Sequence, residues 1–174
     1  SDIGQVDVST TLAGDYWELA EHSGGFLPND RRHQFKANGY YQITPEFMVS
    51  GAFTAASGRP MNCRGAYPNI DPNSPNYGPY HFYCNGEAVP RGSFGRLPNN
   101  VRLDLGARYT PTWAPGLNVG LNVYNVFNRQ SVANVRELYN QQTSATTIHQ
   151  SWLRVESYTL PRFFELSFRY DFSM

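Results

Sequence analysis

The chain has 174 residues, the length of one ordinary domain, and 40% of them are apolar. Fourteen basic residues balance fourteen acidic ones, so no strong electrostatic field favours a nucleic acid or an acidic partner. No run approaches the roughly 18 consecutive apolar residues of a transmembrane helix. A membrane-spanning sheet is not excluded, because barrel strands carry their apolar side chains at alternate positions and leave the average hydropathy polar.

Two segments in the first third of the chain, 34–43 and 47–56, alternate apolar with polar residues. Successive side chains of a strand point to opposite faces, so each segment predicts a strand with one apolar and one polar face. Residues 44–46 are predicted to form a tight turn between them. The residues assigned to the apolar face are Phe35, Ala37, Gly39, Tyr41 and Ile43, followed by Phe47, Val49, Gly51, Phe53 and Ala55.

A long connection, 58–100, follows and is rich in Gly, Pro, Asn and Tyr. It holds both cysteines, Cys63 and Cys84, which we expect to form a disulfide worth about 3 kcal/mol on the chain-entropy model in oxidising surroundings. A metal site is the alternative, but no second Cys or His pair lies at ligand spacing. The connection also carries four tyrosines that could contact a ligand or simply pack the loop: Tyr67, Tyr77, Tyr80 and Tyr83.

Three further alternating segments lie at 101–110, 117–124 and 162–172. Residues 111–116 make a short connection between the first two, whereas 129–161 form a second long connection. The apolar positions of the first two segments are Val101, Leu103, Leu105, Ala107 and Tyr109, then Leu117, Val119, Leu121 and Val123. The last segment is the most regular, and its apolar positions form a C-terminal strand signal: Phe164, Leu166, Phe168, Tyr170 and Phe172.

The length of these strands and of their connections predicts how they cross a bilayer. Strands of about eleven residues, at roughly 3.3 Å per residue and a tilt near 45°, span roughly 25 Å, the height of the apolar band of an outer-membrane barrel. Such barrels have short periplasmic turns and long external loops. We therefore predict an extracellular loop segment at 1–32, and membrane-spanning strands within 33–172 that carry two long extracellular loops, 58–100 and 129–161.

Five strands are too few to close a barrel. A five-stranded antiparallel sheet has two unpaired edges, and each unsatisfied backbone group costs several kcal/mol in hydrocarbon. The sequence therefore predicts an all-β fold, an antiparallel portion of a larger transmembrane β-barrel in the bacterial outer membrane. We expect the remaining strands on a separate polypeptide or in upstream sequence, and the weakly alternating residues 1–21 are the alternative source. The polar start at Ser1 carries no signal peptide, so we expect the export information to be elsewhere or removed.

The polar faces of the strands carry charges but no recognisable chemistry. No nucleophile elbow, phosphate-binding loop or metal-binding histidine pair occurs, so we predict no catalytic residues, no metal and no cofactor. The inward charges could line a substrate path, contact a plug, or form a polar lumen wall of satisfied pairs, which is the interpretation we favour. They are Lys36, Arg102, Asp104, Arg108, Glu165, Arg169 and Asp171.

Six segments of the chain, taken in order, resemble the barrel end of one receptor family. They are 27–43 (LPNDRRHQFKANGYYQI), 57–63 (SGRPMNC), 82–86 (FYCNG), 90–98 (PRGSFGRLP), 122–128 (NVYNVFN) and 166–172 (LSFRYDF). The set with its paired cysteines is similar to the TonB-dependent outer-membrane receptors, and within them to the Oar-like proteins, whose plug follows a carboxypeptidase-regulatory-like domain. NVYNVFN resembles the penultimate-strand motif of such receptors.

The resemblance implies that the chain supplies the last five strands of a barrel of about 22 strands. It implies transport of a ligand across the outer membrane, in a direction left open, with outer-membrane lipid, the remaining barrel and plug of the same receptor, and TonB through that portion as partners. No nucleic acid and no enzymatic activity are implied. Two other interpretations stay open: a non-transporting outer-membrane barrel or adhesin whose loops bind a partner, and a secreted soluble β-sandwich.

Overall fold

The computed structural model describes residues 17–68, 80–141 and 144–172. These residues form two compact units. We name residues 32–57, 99–131 and 158–172 the sheet unit, and the described parts of 17–31, 58–98 and 132–157 the loop unit. No helix in the described ranges is long and apolar enough to cross a membrane.

The regular structure of the described residues is almost entirely strand. One helical turn, α1, comprises Trp17–Ala20. The strands in chain order are β1 (Gln34–Thr44), β2 (Phe47–Ala56), β3 (Pro60–Met61), β4 (Tyr83–Cys84), β5 (Glu87–Ala88), β6 (Gly95–Arg96), β7 (Asn100–Tyr109), β8 (Leu117–Tyr124), β9 (Val132–Val135), β10 (Asn140–Gln141), β11 (Ser144–Ile148), β12 (Val155–Tyr158) and β13 (Phe163–Tyr170). The fold is therefore all-β, as predicted.

The five long strands form one antiparallel sheet in the order β1-β2-β7-β8-β13. Its register brings the predicted apolar positions into common rows, for example Gly39, Gly51, Leu105, Val123 and Phe164. Because side chains alternate between the two sides of each strand, this register gives the whole sheet one apolar and one polar face. The predicted strands agree with the observed ones to within two residues at each end, so the five-strand prediction and its phase are confirmed.

The apolar face of the sheet is exposed. Phe164, Leu166 and Phe168 are between 61% and 69% exposed, and Leu105 and Leu121 are also classed with the exposed large hydrophobic residues. Soluble monomers seldom expose contiguous apolar patches of more than a few hundred Å². The sheet also does not close within the described residues, so β1 and β13 each keep one unpaired edge. An open sheet with an uncovered apolar face is the expected form of a barrel portion.

Hydrogen bonds join the two short connections at one end of the sheet. The carbonyl of Glu46, in the β1–β2 turn, accepts the Thr110 N–H at 2.8 Å, and its Oε1 accepts the Thr112 N–H at 2.8 Å. Hydrogen bonding to the Thr112 side chain, and then to the Thr112 N–H, holds the pKa of the Glu46 carboxyl below its usual value. Nearby, Gly116 has a φ of +92°, and a side chain there would collide with the Asp171 carbonyl oxygen. Glycine is therefore required at this turn.

Asn125 ends β8 and joins three parts of the sheet unit. It is 4% exposed and has a φ of 51°, a left-handed conformation that asparagine tolerates better than most residues. Its N–H donates to Asp104 Oδ1 at 2.8 Å. Its Nδ2 donates to the carbonyls of Leu160 at 2.8 Å and Arg129 at 3.1 Å, and its Oδ1 accepts the Arg129 N–H at 3.2 Å. The side chain therefore fixes how the chain leaves β8 and approaches β13.

Replacing Asn125 with alanine is expected to lower the free energy of unfolding by about 2 kcal/mol, because three partly buried hydrogen bonds to Arg129 and Leu160 are lost and alanine is strained at positive φ. Asn125→Gly removes the same bonds without that strain, so it should cost less. Denaturant unfolding of the complete protein with both variants measures the two contributions. Equal stability of wild type and Asn125→Ala would show that the Asn125 side chain does not stabilise the chain between β8 and β13.

The described parts of the two long connections are folded, not extended. Cys63 and Cys84 form the predicted disulfide, with their Cα atoms 5.5 Å apart. Backbone bonds join the two connections: the Arg64 N–H donates to the Glu137 carbonyl at 2.9 Å, and the Tyr139 N–H donates to the Arg64 carbonyl at 2.6 Å. The buried apolar side chains of this loop unit include Pro60, Cys63, Phe82, Tyr83, Leu97 and Val135. Segments distant in sequence thus share one small core.

Candidate functional site

The polar face of the sheet is the first candidate site. The register places Lys36, Thr54 and Arg102 in one row, and a second row contains Asn122 and Glu165. Strand alternation therefore puts every predicted lumen charge within the strands on this one face. They are Lys36 on β1, Arg102, Asp104 and Arg108 on β7, and Glu165 and Arg169 on β13, while Asp171 follows the end of β13.

Most of these charges have local partners. Arg102 Nε donates to Asp104 Oδ1 at 2.7 Å, and the Arg102 guanidinium lies over the Tyr124 ring, 5.7 Å from its centroid. Glu165 Oε2 accepts bonds from the Tyr124 hydroxyl at 2.7 Å and from Asn122 Nδ2 at 3.2 Å. A carboxylate with two donors is well satisfied. This arrangement agrees with a polar wall of paired groups.

The remaining charges of the polar face are one ion pair and two cations that form no ion pair. Arg169 Nε donates to Asp171 Oδ1 at 2.9 Å, so this pair is satisfied locally. Lys36 and Arg108 form no ion pair with another described residue. Both side chains are exposed. These two cations are therefore exposed and have no ion-pair partner among the described residues.

Two glycines, Gly106 and Gly120, leave space for neighbouring side chains in the middle of the polar face. A Cβ at Gly106 would lie 2.6 Å from Ser50 Oγ and 2.7 Å from Asn122 Oδ1, and one at Gly120 would lie 2.5 Å from Ser167 Oγ. These separations are shorter than any side chain accepts without movement of its neighbours. Glycine therefore allows polar side chains of adjacent strands to approach across the two positions.

The predicted C-terminal strand signal lies on the opposite, apolar face. Phe164, Leu166, Phe168 and Tyr170 belong to β13, and Phe172 follows it with its ring 4.8 Å from that of Tyr170. All five side chains are exposed. Their role as a signal for membrane insertion stays a prediction.

The predicted tyrosine cluster separates into buried and exposed members. Tyr83 is 8% exposed, and its ring packs edge-on against Tyr67, with 5.2 Å between centroids. Burial, helped by the neighbouring Glu21 carboxylate, raises the pKa of Tyr83 to about 12. Tyr80 is 43% exposed, and Tyr77 lies outside the described residues. Packing therefore accounts for Tyr83, while Tyr80 is accessible to a ligand.

Some residues with specific roles had no assignment from sequence alone. The carboxylate of Asp104, predicted only as a lumen charge, also accepts the Asn125 N–H. The turn at Asn125 could have been predicted from the NVYNVFN motif, because asparagine tolerates a positive φ better than most residue types other than glycine. Within the described ranges, no group of three or more His, Cys, Asp or Glu side chains is arranged to hold a metal ion.

Comparison with known proteins shows a similarity to an outer-membrane transporter. No protein-family model matches the chain, and no solved structure matches it. The chain is 33% identical over 144 residues to the TonB-dependent transporter Oar of Myxococcus xanthus, and the match covers 79% of this chain. It spans only 12% of the length of that curated relative. With the antiparallel sheet and the ordered motifs, this similarity shows that the chain belongs to the Oar-like family of TonB-dependent receptors.

Proposed function

We propose that this chain forms the C-terminal part of the barrel of a TonB-dependent transporter, which moves a ligand across the bacterial outer membrane. One observation carries the proposal: five paired antiparallel strands, of 8 to 11 residues each, present an exposed apolar face on one side and a polar face on the other. This is the pattern of a barrel wall between lipid and water. The name of the Myxococcus relative supports the transport class.

In this proposal the apolar face contacts lipid and the polar face contacts the lumen. The exposed aromatic and aliphatic side chains of β13 would lie in the hydrocarbon, where their burial is favourable. On the other face, the carboxylates of Glu165 and Asp104 already accept hydrogen bonds from Tyr124 and Arg102, so they need no ligand to satisfy them. Lys36 and Arg108 would contact the plug or the ligand on its path. The short turn that contains Glu46 would lie in the periplasm, and the loop unit, with residues 1–32, outside the cell.

The unpaired edges of the sheet require the rest of the receptor. β1 pairs only with β2, and β13 only with β8, among the described strands. Because unsatisfied backbone groups cost several kcal/mol each in hydrocarbon, both edges must pair with strands from the remaining barrel. A barrel of about 22 strands, as the family resemblance implies, supplies those strands and room for a plug. TonB would act through that remaining portion.

Spin labels on adjacent residues test the proposed faces. In the complete receptor in a bilayer, Val49→Cys and Ser50→Cys place labels on opposite faces of β2, and this chain has no free cysteine to compete. We expect the label at residue 49 to be relaxed mainly by oxygen from the lipid, and the label at residue 50 mainly by a water-soluble nickel complex. A label at residue 49 that is shielded from both oxygen and the nickel complex would instead indicate a face buried against a second sheet, as in a soluble sandwich.

Cross-linking to TonB in cells tests the transport class separately. We expect the complete receptor to cross-link to the periplasmic domain of TonB, and a receptor that lacks the TonB-contacting segment of its upstream portion to lose the product. A barrel with the expected lipid face but no cross-link would instead be a non-transporting barrel or an adhesin.

A further inference from the structure

A cleft of about 590 Å³ in the loop unit concentrates arginines. Residues from three separate segments line it, and the charged side chains among them are Arg31, Arg59, Arg64, Arg136, Glu137 and Glu156. The lining therefore carries an excess of two positive charges in a chain whose total charge is zero. Local charge of this kind attracts anions, because a recess focuses the field of its walls.

One arginine of the cleft is fully engaged. Arg59 Nη1 donates to Glu137 Oε1 at 2.6 Å, and its other groups donate to the Ala133 carbonyl at 3.3 Å and to Asn134 Oδ1. The second oxygen of Glu137 accepts Asn62 Nδ2 at 2.7 Å. This pair is satisfied, so it serves as a structural support for the cleft wall.

Two other arginines have unused donors. Arg64 Nε and Arg136 Nε are both buried and have no hydrogen-bond partner. The Arg136 Nη1 atom lies 3.6 Å from Glu156 Oε1, a long ion pair. Neither Arg64 nor Arg31 forms an ion pair with another described residue. A buried donor without a partner is costly, more so when it carries charge. An anion bound in the cleft would bring negative charge close to these two guanidinium groups and offset part of that cost.

The backbone holds these two arginines in place. The Arg64 N–H and carbonyl both bond to the opposite segment, at Glu137 and Tyr139, and Arg64 follows the disulfide-bonded Cys63 directly. The Arg136 N–H donates to the Arg154 carbonyl at 2.9 Å, and its carbonyl accepts the Leu153 N–H at 3.0 Å. A pre-organised site binds with less loss of conformational entropy than a flexible one.

We propose that this arginine cleft, lined by Arg31, Arg64 and Arg136, binds an oxyanion, a carboxylate or a phosphate, on the ligand that the receptor transports. A guanidinium presents planar paired N–H groups that match both anions bidentately. The exposed Tyr80 ring also lines the cleft and offers an aromatic surface to the body of the ligand. The proposal rests on the proposed function, because it makes the cleft the first binding site of the transported ligand.

Calorimetric titration of the complete receptor with two probes, inorganic phosphate and succinate, tests this proposal. We expect saturable binding of at least one probe, weakened about tenfold or more in Arg64→Gln and in Arg136→Gln. Arg64→Lys should restore little, because lysine keeps the charge but lacks the paired donors. The matched control is Arg154→Gln, an exposed arginine of the same unit that does not line the cleft, and it should bind as wild type does.

The two probes distinguish the sources of the anion, since saturable binding of phosphate alone or of succinate alone identifies the group. Failure of both probes to bind, or equal weakening in Arg154→Gln, would overturn the cleft assignment. Intact disulfide formation and wild-type thermal unfolding of the variants would exclude misfolding as the cause of lost binding. If the cleft fails while spin labelling and TonB cross-linking give their expected results, the proposed function stands without it.

Discussion

Replacing Leu166 with arginine is expected to lower the free energy of unfolding in a bilayer by about 2–4 kcal/mol, the cost of a cation near the midplane on the lipid face of a barrel. Leu166 lies in the middle of β13, opposite Leu121, and is 61% exposed on the apolar face. In a soluble sheet, the same substitution at an exposed position would have little effect. Equilibrium unfolding of the complete receptor from lipid vesicles measures the difference.

The matched control for this substitution is the next residue. Ser167 lies opposite Gly120 on the polar face, and its hydroxyl donates only a long 3.4 Å bond to the Gly120 carbonyl. Ser167→Arg should therefore cost less than about 1 kcal/mol, because the cation reaches water in the lumen. Equal costs for the two substitutions would show that the faces do not differ in environment, and the barrel assignment would fall.

Removal of the disulfide, by Cys63→Ser with Cys84→Ser, is expected to destabilise the loop unit by about 3 kcal/mol on the chain-entropy model. The bond joins residues 21 positions apart, and Cys63 is fully buried in the small core of this unit. Such a core is weak without a covalent cross-link. Hydrogen exchange measured by mass spectrometry should show faster exchange in 58–68 and 80–98, and also in 132–141, which bonds to the first connection.

The five-stranded sheet provides the internal control for this experiment. Amides of β1, β2 and β7 belong to the sheet unit and should keep their protection in the double serine variant. Reduction of the wild-type disulfide should reproduce the change without any substitution. Unchanged exchange throughout the loop unit would mean that its hydrogen bonds and apolar contacts hold it without the cross-link.

A local rule, the alternation of side chains along a strand, was enough to predict the sheet. The phase of β13 can be assigned from Phe164, Leu166 and Phe168 alone, because a one-residue shift would exchange its faces. The antiparallel arrangement predicted for these strands is the one that the structure has. Pairing of Cys63 with Cys84 was also predictable, since they are the two cysteines of the chain.

The loop unit depended on contacts that no local pattern encodes. Whether Tyr83 is buried and Tyr80 exposed depends on how 58–98 packs, and both are tyrosines of the same loop. The arginine cleft is the clearest case, because Arg31, Arg64 and Arg136 come from three segments without a common spacing. The sequence by itself determined the strands, their phase and the disulfide, since these depend on nearest neighbours along the chain or on a unique pair. Only the tertiary structure decided which loop side chains are buried and which converge, since long-range packing sets both.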